Sequence, residues 1–174
     1  MVKIALKDGS KIEVEEGTTI LDVAKKISEG LARLATCGLV NGKVEDLRHK
    51  LNEDCNVSIE TFDSSLDGKK AYWHTTSHIM AQAVQRLFPD TKFAIGPAID
   101  DGGFYYDFDT SETFNDEDKA KIEEEMKKII KEDIPIERFT LPKKEALELM
   151  KDQKNKRENF MKDFLRCDKK KWGR

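Results

Sequence analysis

The sequence predicts an α+β protein built in two parts, and three observations lead there. Two tight-turn signals, Asp8-Gly9-Ser10 and Asn41-Gly42, flank one capped helical stretch near the N-terminus. A polar run, Asp63-Ser64-Ser65-Leu66-Asp67-Gly68-Lys69-Lys70, then interrupts the apolar patterning. Beyond it the pattern changes to a long helical segment, two short strands and a charged helix.

In the first part, Val2-Lys3-Ile4-Ala5-Leu6 and Lys11-Ile12-Glu13-Val14 read as a hairpin around the Asp8-Gly9-Ser10 turn. Thr19 is placed to cap a helix, with Asp22 in capping-box position three residues on. Ile20, Val23, Ala24 and Ile27 form one apolar stripe at helical spacing, and Gly30 reads as the stop. Ala35–Val40 leads into the Asn41-Gly42 turn, and the alternation of Cys55–Phe62 marks a half-buried final strand. Hairpin, helix, hairpin and final strand make residues 1–62 a β-grasp, ubiquitin-like unit. Residues 63–70 are the linker.

The second part opens with a helix from about Tyr72 to Phe88, stopped by Pro89. Strands are expected near Phe93–Ile99 and Phe104–Asp109, joined across Asp100-Asp101-Gly102-Gly103. In the latter strand Phe104, Tyr106 and Phe108 share one face, and Tyr105, Asp107 and Asp109 the more exposed one. Asn115 caps a charged helix whose buried stripe is Ile122, Met126, Ile129 and Ile130. Pro135 limits Ile134–Leu141 to an edge or extended segment, and Pro142 opens a last helix reaching about Met150.

Composition narrows the class. Hydrophobic residues make up 38% and charged residues 37% of the 174, as in a globular protein with well-solvated helices. No apolar run approaches the roughly 20 residues that span a bilayer, and Lys7 and Asp8 follow too soon for a signal peptide. The expected compartment is the cytoplasm. Three widely spaced cysteines, Cys37, Cys55 and Cys167, argue against a disulfide framework, and Cys37 and Cys55 read as packing residues in strands. From Pro142 to Arg174 the chain carries 12 Lys or Arg against 6 Asp or Glu, within a whole of net charge −3. This basic end either meets phosphate or is simply a solvated tail.

The candidate site is a histidine pair. His74 and His78 are four residues apart, so on a helix they lie about 40° apart on one face, with Met80, Ala83 and Leu87 centring an apolar face roughly opposite. The imidazoles then face either water or a cleft. At this spacing they can share a metal or hold and activate a polar ligand. A zinc site needs three or four protein ligands, and the chain supplies no third histidine nearby and no Cys-x-x-x-His. No metal is therefore expected. His49 has no such companion and reads as a surface residue. No phosphate-cradling glycine loop is present: Gly102-Gly103 is too little, and Asp8-Gly9-Ser10-Lys11 is a hairpin turn.

Residues 1–62 resemble the TGS domain, a β-grasp module shared by threonyl-tRNA synthetases, certain GTPases and stringent-response enzymes. The following segments are His74-Thr75-Thr76-Ser77-His78, Phe88-Pro89-Asp90-Thr91-Lys92, Ala94-Ile95-Gly96-Pro97-Ala98-Ile99-Asp100 and Gly103-Phe104-Tyr105-Tyr106-Asp107. Their order and spacing are similar to the start of the editing domain of bacterial threonyl-tRNA synthetases. A related editing domain in alanyl-tRNA synthetases lacks this TGS partner. The resemblance covers roughly residues 1–155 and assigns 71–155 to the first half of an editing domain of the threonyl/alanyl type, leaving 156–174 as a basic tail.

The resemblance implies association with threonine-specific tRNA and hydrolysis of mischarged seryl-tRNA. His74 and His78 match the first half of the editing motif, where they would position the seryl-adenosine end and its water. Gly96 and Tyr106 match positions lining the pocket for substrate. The family's second half, a Cys-x-x-x-His element, has no counterpart in the sequence, nor does the family's lysine-containing strand after 142–150. ATP and zinc are expected only with the catalytic domain of the parent family, so no cofactor and no aminoacylation are expected of this chain alone. The alternative is a non-catalytic TGS-containing module that binds RNA or a regulatory ligand.

Overall fold

The computed structural model describes residues 1–94, 96, 99, 102–134 and 140–149. The 156–174 tail with Cys167, the Asp100-Asp101 turn, and parts of the segments expected over 93–99 and 134–141 lie outside these residues. The architecture is α+β, in two compact units, one ending at Trp73 and the other beginning at His74.

The first unit is the β-grasp. Strand β1 (Val2–Leu6) pairs antiparallel with β2 (Lys11–Val14) around Asp8, whose carboxylate accepts from the Ser10 amide and hydroxyl. A short β3 (Thr18–Thr19) leads into α1 (Ile20–Ile27), which opens with the expected reciprocal capping box between Thr19 and Asp22. The amide of Asp22 donates to Thr19 Oγ1 at 3.1 Å. The helix ends earlier than the glycine signal implied. Ser28 is extended, closes α1, and caps α2 (Glu29–Leu34) by accepting from the Leu31 amide, so Gly30 lies inside the second helix. Ile20, Val23 and Ala24 are fully buried, whereas Ile27, in the last turn, is 43% exposed.

Strand β4 (Ala35–Val40) turns through Asn41-Gly42, both at positive φ, into β5 (Lys43–Glu45). Strand β6 (Lys50–Leu51) pairs with β3, and β7 (Cys55–Thr61) runs parallel to β1 and antiparallel to β4. The five-stranded sheet has the order β2-β1-β7-β4-β5. Its core gathers Val2, Ile4, Val14, Ile20, Val23, Leu51, Cys55 and Val57. Burying each such aliphatic side chain contributes about 1.5–3 kcal/mol, which compensates the ordering of a small unit. Cys37 and Cys55 are buried and free, and burial pushes both thiols up, away from reactivity.

Helix α3 (Leu66–Leu87) begins six residues before the expected Tyr72, inside the polar run read as a linker. Ser65 supplies the start: its hydroxyl accepts from the Gly68 amide at 3.0 Å. Glycine is required at 68, because a Cβ there would run into the Thr61 carbonyl at the end of β7. Thr36 Oγ1 bridges the same junction, lying 3.2 Å from the Glu60 carbonyl and 3.0 Å from that of Gly68. Glu60, only 1% exposed, accepts from Ser58 at 2.5 Å and Ser64 at 2.9 Å. Burial pushes its carboxyl up, but the hydroxyls of Ser58, Ser65 and Ser64 outweigh that and hold it below the ordinary 4.5.

In the second unit the rest of α3 meets two strands much shorter than expected, β8 (Lys92–Phe93) and β9 (Phe108–Asp109), paired antiparallel. Asn115 caps α4 (Asp116–Glu132) with a second capping box. Pro142 precedes α5 (Lys143–Leu149), accepting from the Ala146 amide. The core joins Ala81, Ala83, Val84, Phe93, Ile122 and Ile129. Two expected members are outside it: Leu87 is 36% and Ile130 60% exposed. Arg86 instead clamps α3 to α4 through Glu132 (2.6 and 2.7 Å) and Glu125 (3.1 Å). Among the described residues no helix is long and apolar enough to cross a membrane.

Candidate functional site

The inward face of α3 keeps Ala83 and Met80 of the face the helical wheel centred but is rotated away from Leu87. Ser77, Ala81 and Val84 are buried, at spacings of four and three residues, while Leu87 is exposed. His74 and His78 therefore flank the packed face rather than oppose it, and both remain exposed. A single turn brings their rings to 4.6 Å between centroids at 70°. Their Nε2 atoms are 2.9 Å apart, a direct hydrogen bond.

That bond dictates the chemistry of the pair. One imidazole presents Nε2–H and the other an Nε2 lone pair, and which ring donates depends on their tautomers. The pair thus offers an acceptor and a donor side by side. If the direct contact opens, a water or hydroxyl taking its place can give a proton to one ring and accept from the other.

The remaining predicted residues come together through Ser77. Its Oγ lies 2.7 Å from the carbonyl of His74 and 3.2 Å from that of Gly96. Gly96 in turn sits against Tyr106 so closely that a Cβ would overlap the ring. Tyr106 stacks on Phe108, with centroids 4.9 Å apart and planes at 12°, and meets the edge of Phe93. Burial pushes the Tyr106 phenol up, so it is a neutral donor at physiological pH. His74, His78, Gly96 and Tyr106 all belong to the unit beginning at His74.

Ser77 was not singled out in the sequence, although a wheel drawn through Ser77, Ala81, Val84 and Phe88 places it on one stripe with small and apolar residues. Among the described residues no three His, Cys, Asp or Glu side chains converge to hold a metal. His49 is half-buried with Nδ1 3.4 Å from Glu45, in the first unit. A crevice of about 550 Å³ near Phe88, Lys92, Asp109 and Phe114 contains neither His74 nor His78. Volume alone does not outweigh the paired bases.

Residues 2–61 match the family model of the TGS domain. A threonine–tRNA ligase of Clostridium perfringens (strain SM101) is 60% identical over 153 residues, covering 88% of this chain and 24% of that protein. The threonine–tRNA ligase of Acetivibrio thermocellus gives the same figures. That of Caldanaerobacter subterraneus is 57% identical over 150 residues, 86% of this chain and 23% of its own length. The chain spans about a quarter of the length of these curated relatives. Its first unit is a TGS domain, and over the matched residues the chain corresponds to the N-terminal region of bacterial threonine–tRNA ligases.

Proposed function

We propose that the chain serves a tRNA-related role in the cytoplasm, with the unit beginning at His74 contributing to hydrolytic editing of serine mischarged onto threonine-specific tRNA. The observation that carries the reading is the exposed His74–His78 pair, hydrogen-bonded through Nε2 at 2.9 Å. The need for such a site is chemical: serine lacks only one methyl group of threonine, which a binding pocket discriminates by about 1–3 kcal/mol.

In this reading the seryl-adenosine end lies against Gly96 and Tyr106, and the histidines position it and a water. The water oxygen attacks the ester carbonyl carbon and gives a proton to one imidazole. The C–O bond to the ribose then breaks, and the ribose oxygen takes a proton as it leaves. Serine and uncharged tRNA are the products, so atoms and charge balance.

Purified chain incubated with seryl-tRNA and threonyl-tRNA tests the reading. Hydrolysis of the seryl ester should exceed that of the threonyl ester, and H74A and H78A should each lower the rate about a hundredfold or more, on the order of one general acid–base contribution. Unchanged rates in both variants would sink it. We also propose that the chain does not activate threonine; threonine-dependent exchange between ATP and pyrophosphate would refute this. One sequence feature favours a second reading, an RNA- or ligand-binding module without hydrolysis. The 174 residues contain no Cys-x-x-x-His element to complete the histidine pair. Retention of tRNA with both esters left intact would select that alternative.

A further inference from the structure

We infer that Ser77 is a positioning residue that holds Gly96, and through it Tyr106, against the histidine-bearing helix. Its importance for ligand binding rests on the editing reading above; the link itself does not.

Ser77 lies between two exposed histidines yet is itself completely buried. A hydroxyl carries one proton, and here two carbonyl oxygens lie within reach of it. The shorter contact, 2.7 Å to His74, is the local back-bond that helical serines commonly make. The second, 3.2 Å to Gly96, joins residues 19 apart in sequence and has no local explanation. Gly96 passes any displacement on, because its backbone lies on the Tyr106 ring with no room for a Cβ. Tyr106 is held from its other side by parallel stacking on Phe108. Serine hydroxyl, glycine peptide and aromatic ring therefore form one run of contacts ending at the side of α3 that carries His74.

Alanine at 77 fills nearly the same space and removes only the donor. The Gly96 carbonyl then loses its partner on α3, and the Tyr106 ring is free to shift. A purely local role for Ser77 predicts no change at either residue.

The test uses the full chain labelled with 13C and 15N, comparing the parent with S77A and S77C. In S77A the Gly96 carbonyl 13C resonance and the Tyr106 ring resonances should move, while Ile122 and Ile129 in α4 keep theirs. S77C, similar in size and a weaker donor, should move the same signals in the same direction by less. Gly96 and Tyr106 resonances that match the parent in S77A overturn the inference. If S77A does not fold, S77C decides by the same comparison. A second arm titrates an amide-linked, non-hydrolysable seryl-adenosine. S77A should bind it about fivefold to tenfold more weakly, the effect of one lost hydrogen bond. Equal affinity in parent and S77A would remove Ser77 from ligand positioning. A parent that does not bind the compound counts against the editing reading alone, and the resonances still decide the contact.

Discussion

The two units bury their apolar residues by different means. The TGS unit does so with a sheet: five strands satisfy one another's backbone groups, and aliphatic side chains from β1, β2, β7 and α1 fill one face. Among its described residues, the unit beginning at His74 has strands of two residues each and relies on helices and on packed rings: Phe93, Tyr106, Phe108 and Phe114. A sheet core tolerates little change because each strand registers its neighbours. An aromatic stack leaves edges and faces open at its border, and the candidate site is built at such a border.

The strongest way to break this comparison is in the sheet. Ile4→Ala should cost about 2–5 kcal/mol in the first unit, since Ile4 is fully buried between neighbouring strands. Urea unfolding followed by amide resonances should show that loss for β1 and β7. Equal losses in α4 would show that the two cores unfold as one.

A smaller effect is expected at Glu60. Glu60→Ala removes the carboxylate that accepts from the Ser58 and Ser64 hydroxyls and should cost about 1–3 kcal/mol. The acid dependence sharpens the point. Burial raises the carboxyl but the serine hydroxyls lower it by more, so its folded value lies below 4.5. A carboxyl lowered by folding contributes stability above its unfolded value, and that contribution disappears as pH falls through the folded one. Thermal melts from pH 7 down to pH 3 should therefore fall more steeply for the parent than for Glu60→Gln. Parallel curves would mean the serines do not favour the charged form.

In the second unit, Asn115→Ala should remove the α4 cap and cost about 1 kcal/mol, visible as faster amide exchange at Asp118. The smallest effect belongs to Arg86→Met. The guanidinium is exposed and its glutamates are held below the ordinary range by it, so the variant should lose a little stability at low salt and almost none in 1 M salt. A loss that persists at high salt would make the clamp a packing contact instead.

The first unit was largely legible in the sequence because its signals are local. Asp8-Gly9-Ser10, Asn41-Gly42 and the Thr19–Asp22 box each act within four residues, and the structure realises all three. The misread ends have a common cause. Gly30 and the glycine at 68 look like helix breakers, but Ser28 and Ser65 supply caps that start helices through them. The need for a glycine at 68 arises from Thr61, on another element, which no local pattern reveals. In the second unit, helical spacing placed the two histidines together and Met80 and Ala83 inward, but centred the inward face too far towards Leu87. Leu87 and Ile130 are apolar, whereas the side chain occupying the deep position is the polar Ser77. Hydrophobicity ranks Ser77 below the apolar residues of the helix; the carbonyls of His74 and the distant Gly96 satisfy its buried hydroxyl. Gly96 and Tyr106 entered through family resemblance, and their contact with each other was not visible from spacing.

The sheet order leaves β2 and β5 as its outer strands, and this bears on how copies of the chain meet in concentrated solution. Unpaired strand edges are templates for fibrous association. Here β2 turns Lys11 and Glu13 to solvent, and β5 is only three residues long, with Lys43 bound to Glu45 at 2.6 Å. A sixth strand added from another molecule would have to strip water from these charges at either border. Edge-to-edge growth is opposed by the same residues that make both strands look unremarkable in composition.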